Sequence, residues 1–177
     1  MKIIRDKKNR IIPITLEQVK TQCIIDLEYG DEDEKLDRFL KSTINTFENY
    51  ISGEILLTDV TIITDDVSGD EFKFKVGGFS SLSGVTVNDI EITGCTVITN
   101  DYSEIDYSHN NHFILQLPES VNAGDIVKIY FKTGFDEVPS DILDAILRGV
   151  NDKYDANYID KRTLNELNSY IINYWDY

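Results

Sequence analysis

Cysteine, histidine, positive charge and long apolar runs are all scarce in this chain, and each scarcity removes a class of protein. Two cysteines, Cys23 and Cys95, stand far apart among apolar neighbours in 177 residues. That is too few for a disulfide framework. A chain of this length buries roughly 70% of its extended surface, so it needs neither a bridge nor a metal to fold. Both thiols are therefore expected to be buried and free. No stretch approaches the ~18 apolar residues of a membrane span, and the basic start, Met1 to Arg10, lacks the apolar core of a secretion signal. The expectation is a whole, unprocessed chain, made in a reducing cytoplasm and without a membrane partner.

Lys and Arg number 17 against 32 Asp and Glu, a formal net charge of −15. The imbalance is uneven. Within the first ten residues Lys2, Arg5, Lys7, Lys8 and Arg10 meet only Asp6, a local +4, which leaves −19 for the rest of the chain. An acidic body of this kind excludes nucleic-acid binding by a broad basic face. It leaves three uses: solubility, mimicry of DNA, or the lining of a passage along which DNA slides without sticking.

The chain reads as helices, then strands, then helices. Residues 1–13 form a basic arm, flexible or strand-like, without helical period. Thr15-Leu16-Glu17-Gln18 is a capping box, opening a helix with Leu16, Val19, Cys23 and Leu27 that Gly30 should end. Asp31, Glu32 and Asp33 then place negative charge at the positive end of a second helix. Its stripe of Leu36, Phe39, Leu40, Ile44, Phe47 and Ile51 has helical spacing. From Ile55 to Phe135 the period becomes two, as in Val60/Ile62, Phe72/Phe74/Val76, Val85/Val87, Ile90/Ile92 and Ile126 to Phe131. Ser68-Gly69-Asp70, Gly77-Gly78, Asn88-Asp89 and Asn122 to Asp125 supply turn chemistry between these runs. Some six to eight short strands predict a small antiparallel sandwich or barrel, and Asn100 to Asn111 reads as an exposed polar loop.

Helical period returns after Pro139, with Ile142, Ala145, Ile146, Gly149, Val150 and Tyr154 on one face. Thr163-Leu164-Asn165-Glu166 has the form of a second capping box and should open a last short helix. The fold class is α+β. A discontinuous helical domain, 14–54 plus 136–177, carries an inserted β domain, 55–135, whose two ends must lie close together.

Patterns for catalysis are thin. His109 and His112 lie near Asp101, Glu104 and Asp106, but no thiol or HExxH-type helix supports a metal there. Asp65-Asp66 and Asp70-Glu71 lack the spacing of a calcium loop. There is no Gly-x-Ser-x-Gly elbow, and Gly77-Gly78 lacks the Lys-Ser/Thr that would hold a nucleotide. No enzyme, cofactor or metal is expected. The C-terminus is different in kind. Leu164, Leu167 and Ile171 read as packed on the chain's own core, whereas Tyr170, Tyr174, Trp175 and Tyr177 are candidate anchors for a partner.

These motifs, in their order and spacing, resemble the head-to-tail connector (adaptor) proteins of tailed double-stranded DNA phages, in the branch where a β module interrupts the helical body. One matching block runs through Ile14-Thr15-Leu16-Glu17-Gln18-Val19-Lys20, the acidic link Asp31 to Glu34, and Tyr50 to Leu56. The other comprises Thr133-Gly134-Phe135, Val138-Pro139 and Ala145-Ile146, continuing to Tyr154. Together they cover roughly 80 of the 177 residues. The chain departs from the family pattern at Cys23, Ile24 and Tyr154. The resemblance implies a homo-oligomeric ring, commonly twelve-fold, sited in the virion neck beneath the portal protein, with a C-terminal segment that touches the portal and a β module that meets further tail or ring proteins. DNA would pass through it unbound. Asp31, Glu32, Asp33, Glu34, Asp141 and Asp144 are then the acidic candidates for the channel wall. Lys2, Arg5, Lys7, Lys8 and Arg10 are the candidates for contact with a neighbouring subunit. The competing reading is a soluble binding module, either carbohydrate-binding or an acidic DNA mimic.

Overall fold

The computed structural model describes residues 1–65, 71–74, 79–99, 113–118, 121–122 and 124–171. Its elements run β1 (Lys2–Asp6), α1 (Leu16–Gln22), α2 (Asp33–Ile51), β2 (Thr58–Thr64), β3 (Glu71–Phe74), β4 (Phe79–Val87) and β5 (Ile90–Ile92). They continue with β6 (Thr96–Thr99), β7 (Phe113–Gln116), β8 (Val127–Thr133), α3 (Ser140–Ala156), α4 (Lys161–Asn165) and a 3-10 turn (Asn168–Tyr170). The fold is α+β, as expected.

Two cores form. In the helical core, Leu36, Leu40, Ile44, Phe47 and Ile51 of α2 pack with Val19 and Cys23 of the α1 end and with Ile142, Ala145, Ile146 and Val150 of α3. Each fully buried side chain of this size contributes roughly 1.5–3 kcal/mol. The Thr15–Gln18 capping box is formed in both directions and starts α1. That helix stops at Cys23 and not at Gly30, because Ile24 turns to φ +57°. Ser52, at φ +57°, ends α2 one residue after Ile51.

In the β half, Val60 and Ile62 of β2, Val127, Ile129 and Phe131 of β8, Val85 of β4 and Leu115 of β7 share the second core. The main sheet has the order β1-β2-β8-β4-β5 and the second β3-β7-β6, with all strand pairs antiparallel. Because residues of both sheets enter one core, the sandwich is the form adopted; among the described residues neither sheet closes into a barrel. Asn88 and Asp89, at φ +52° and +66°, make the tight β4–β5 turn that their chemistry predicts.

Of the two forms open to the N-terminal arm, the strand is the one adopted: Lys2–Asp6 pairs along its length with β2 and becomes an edge of the main sheet. The β half therefore draws a strand from outside 55–135. The last helix is opened by Asp160, whose carboxylate accepts the Arg162 N–H, and not by Thr163. The Thr163 hydroxyl is buried and donates instead to Asp152 at 2.7 Å. Finally, Tyr170 belongs to the helical core. The expected closeness of the β insertion's ends is found: the Phe135 N–H donates to the Ile55 carbonyl at 3.2 Å.

Candidate functional site

The helical and β halves meet around Glu48. This residue stands in the apolar stripe of α2, one turn after Ile44, and its side chain is 3% exposed. A buried carboxylate there requires compensation, and the N-terminal arm supplies it. Arg10 reaches Glu48 at 2.5 Å and Glu54 at 3.1 Å, while Lys7 reaches the same two at 3.1 and 2.9 Å. Arg5 adds a longer contact to Glu54, 3.5 Å. Glu48 also accepts the backbone N–H groups of Ile55 and Leu56, where the chain leaves α2 for the sheet. Three cations thus surround two carboxylates at the junction. Arg5, Lys7 and Arg10, which sequence reasoning offered to a neighbouring subunit, have partners within their own chain. Lys2 and Lys8 make no ion pair with another described residue.

Neither Glu48 nor Glu54 stood out in the sequence. The one available signal was a glutamate on the buried face of α2 in a chain whose first residues are strongly basic. Lys20 was missed in the same way: only 5% exposed, it donates to the Leu27 and Tyr29 carbonyls and pairs with Asp33 at 2.7 Å.

Of the acidic candidates, Asp31, Glu34, Asp141 and Asp144 are exposed and Glu32 and Asp33 half-buried. Glu32, Asp33 and Asp141 have partners within the chain. Glu32 accepts the Tyr154 hydroxyl at 2.6 Å and pairs with Lys35 at 2.9 Å, joining the start of α2 to the end of α3. The Tyr154 hydrogen bond and then Lys35 hold the Glu32 carboxyl below its ordinary range, and the same bond, with burial, pushes the Tyr154 phenol up to about 12. Burial, with the charges of Asp155 and Glu32, raises the Cys23 thiol to about 11, so it is an inert core thiol. Both cysteines are free.

The anchor Tyr170 is corrected. Its ring packs edge-on to Phe135 with centroids 6.0 Å apart, its hydroxyl donates to Asp141, and it is 9% exposed. It serves the core because α4 and the 3-10 turn fold back over α3. Tyr174, Trp175 and Tyr177 lie outside the described residues, as do His109, His112, Gly77 and Gly78.

Among the described residues no group of three or more His, Cys, Asp or Glu could hold a metal ion, and no helix is long and apolar enough to cross a membrane.

The chain matches no protein-family model and no curated protein. Solved structures do match along nearly the whole length. A chain of the neck of an empty gene transfer agent (GTA) particle computed with C6 symmetry superposes with a TM-score of 0.71 at 13% identity, covering 99% of this chain and 98% of that one. A chain of the native GTA virion gives 0.71 at 13%, covering 100% and 98%. One from the neck of the native particle computed with C12 symmetry gives 0.63 at 11%, covering 99% and 98%. At such identities the likeness establishes a shared fold, and it spans both halves of the molecule.

Proposed function

We propose that this chain is a structural, non-catalytic component of the neck of a phage-like particle, an adaptor that forms a ring beneath the portal and joins head to tail. The observation that carries this reading is the end-to-end fold match with particle-neck chains, in which the helices on either side of the β insertion are matched together with the insertion itself. Neck assemblies computed with six-fold and twelve-fold symmetry favour a homo-oligomeric ring, commonly twelve-fold. The net charge of −15 suits the wall of a channel that DNA must traverse without adhering. Asp31, Glu34 and Asp144, exposed and without a hydrogen bond or ion pair to another described residue, are the carboxylates proposed for that wall. The portal is the partner proposed on the helical side, and tail or further ring proteins on the β side.

The test is to purify particles made with and without this protein. Labelled protein should be found at one vertex, and particles lacking it should have full-sized heads without attached tails. Normal tailed particles formed in its absence would refute the assignment.

A further inference from the structure

We propose that the distal end of the main sheet is the docking surface for the next component of the neck or tail, a protein that offers an apolar segment flanked by Lys or Arg. This inference rests on the adaptor reading above and names the surface and the partner chemistry on its β side.

Strand register sets three exposed apolar side chains in one row. Lys2 of β1 lies opposite Ile63, Thr64 opposite Val127, and Val127 opposite Val87, which in turn faces Ile90 of β5. Met1, Ile126 and Ile90 therefore stand at one end of the sheet, beside or on its first, third and fifth strands. With neighbouring strands about 4.8 Å apart, they follow one another at intervals of about 10 Å. Their exposures are 76%, 47% and 71%. The opposite end of the sheet joins the helical body, where Thr58 pairs with Thr133 beside the Phe135–Ile55 bond. β2 runs seven residues between the two ends, so the row stands about 20 Å from that junction.

The row is held on a fixed backbone. The Asn88 side-chain oxygen accepts the Ile126 N–H at 3.0 Å, and the Asn88 N–H donates to the Ile126 carbonyl at 2.9 Å. Asp125 accepts the Asn88 side-chain amide at 2.7 Å and the Asn122 N–H at 2.9 Å. The β4–β5 turn and the entry to β8 are thus tied together on either side of Ile90 and Ile126. Apolar groups presented on a preformed scaffold lose little freedom on binding.

Charge decides what fits. Asp65 and Glu91, exposed at the same end, have no ion-pair partner among the described residues, and Asp89 is held by Lys128. With Asp125 also there and Lys2 as the remaining cation, the end keeps a negative excess. Apolar side chains set among Lys or Arg complement it. The same end of a second copy does not, because Asp65 and Glu91 would meet their own counterparts. A self-complementary contact of that kind also closes a dimer and not a ring. With the portal on the helical side, the distal end is left to the component that follows.

The test joins heads to tails in vitro. Heads from particles made without this protein are loaded with the full chain and mixed with purified tails; bound protein is quantified and joined particles are counted by electron microscopy. The Ile90→Asp/Ile126→Asp protein should melt and load on heads like the unaltered chain, yet join tails about tenfold less, a loss of ~1.4 kcal/mol. If the double variant melts lower, Ile90→Asp alone, at the more exposed position, carries the same expectation. Asp65→Lys with Glu91→Lys should also lower joining, whereas Ile11→Asp, at an isoleucine 85% exposed on the arm, should not. Unimpaired joining by the folded Ile90 variants overturns the docking surface, and unimpaired joining by the charge-reversed protein overturns the basic partner. Self-association of the unaltered chain that Ile90→Asp abolishes would make the occupant a second copy and overturn the proposal as well. Failure of the unaltered chain to load on heads is a separate result: it removes the adaptor reading, and this inference falls with it.

Discussion

Gly134 passes so close to Leu56 that a Cβ placed on it would lie 2.5 Å from the Leu56 carbonyl oxygen. It also holds φ +97°, a conformation that L side chains rarely adopt. Both facts come from one event: β8 ends here and the chain crosses the start of the β insertion, where Phe135 bonds Ile55. Gly134→Ala should therefore destabilise the protein through backbone strain alone by about 1–2 kcal/mol, and by more once Leu56 is displaced. Urea unfolding measures it; a midpoint equal to that of the unaltered chain would show that the crossing can relax.

Gly149 poses the opposite balance. It lies mid-helix in α3, where alanine would gain roughly 1 kcal/mol of propensity. A Cβ there would approach Thr43 Cγ2 to 2.8 Å and the Phe47 ring to 2.9 Å. Overpacking of a tight helix crossing costs about 1–3 kcal/mol, so Gly149→Ala should be neutral to destabilising. A clear rise in melting temperature would mean that α2 and α3 can separate without loss.

The regular elements were legible in the sequence where one local rule decided them. The Thr15–Gln18 box, the stripe of α2 and the alternation Val60/Ile62 and Ile129/Phe131 all appear where spacing places them. What was not legible depends on distant partners. Lys2–Asp6 has no alternation of its own and becomes a strand only because β2 offers an edge. Glu48 looks like any surface glutamate until the arm returns to it. Thr163 satisfied a capping pattern, yet Asp160, three residues earlier, reaches the helix start first. Tyr170 looked like an anchor because nothing local revealed that Asp141 and Phe135 await it.

The junction around Glu48 should dominate the stability of the arm. Glu48→Ala leaves Arg10, whose side chain is 11% exposed, facing Glu54 without its nearest partner, and orphans the Ile55 and Leu56 N–H groups. Breaking a buried charge network in this way costs about 3–5 kcal/mol. Glu48→Gln, which keeps an accepting oxygen, should cost less, about 1–3 kcal/mol. Lys41→Ala, at the exposed Lys41–Asp37 pair, should cost no more than about 1 kcal/mol. Calorimetric melting of the three variants gives the ranking, and a reversed order would remove Glu48 from its central place.

The Tyr154–Glu32 bond sets a pH window. Glu32 has a lowered pKa, so its contribution is complete above the ordinary value of 4.5 and is lost as pH falls through the folded value. Tyr154 has a raised pKa, so its contribution is complete below the ordinary value of 10.0 and is lost as pH rises towards about 12. The stability difference between the unaltered chain and Tyr154→Phe should be flat between these limits and shrink at both ends. Denaturation at a series of pH values checks this. A difference that grows in acid would place the Glu32 carboxylate elsewhere.

The C-terminal docking proposal now has a defined cutting point. Tyr170 belongs to the fold, so removing residues 172–177 should leave the melting transition essentially unchanged while abolishing entry into portal-bearing particles. Extending the deletion through Tyr170 removes an aromatic packed on Phe135 and bonded to Asp141, and should cost about 3 kcal/mol or more. The pair separates two explanations for any assembly defect. If only the longer truncation fails to assemble, the defect is one of stability and the portal is met by another surface. If the shorter one fails while its melting curve is unaltered, Tyr174, Trp175 and Tyr177 act on the partner and not on the fold, the outcome expected of aromatic side chains concentrated in the last four residues.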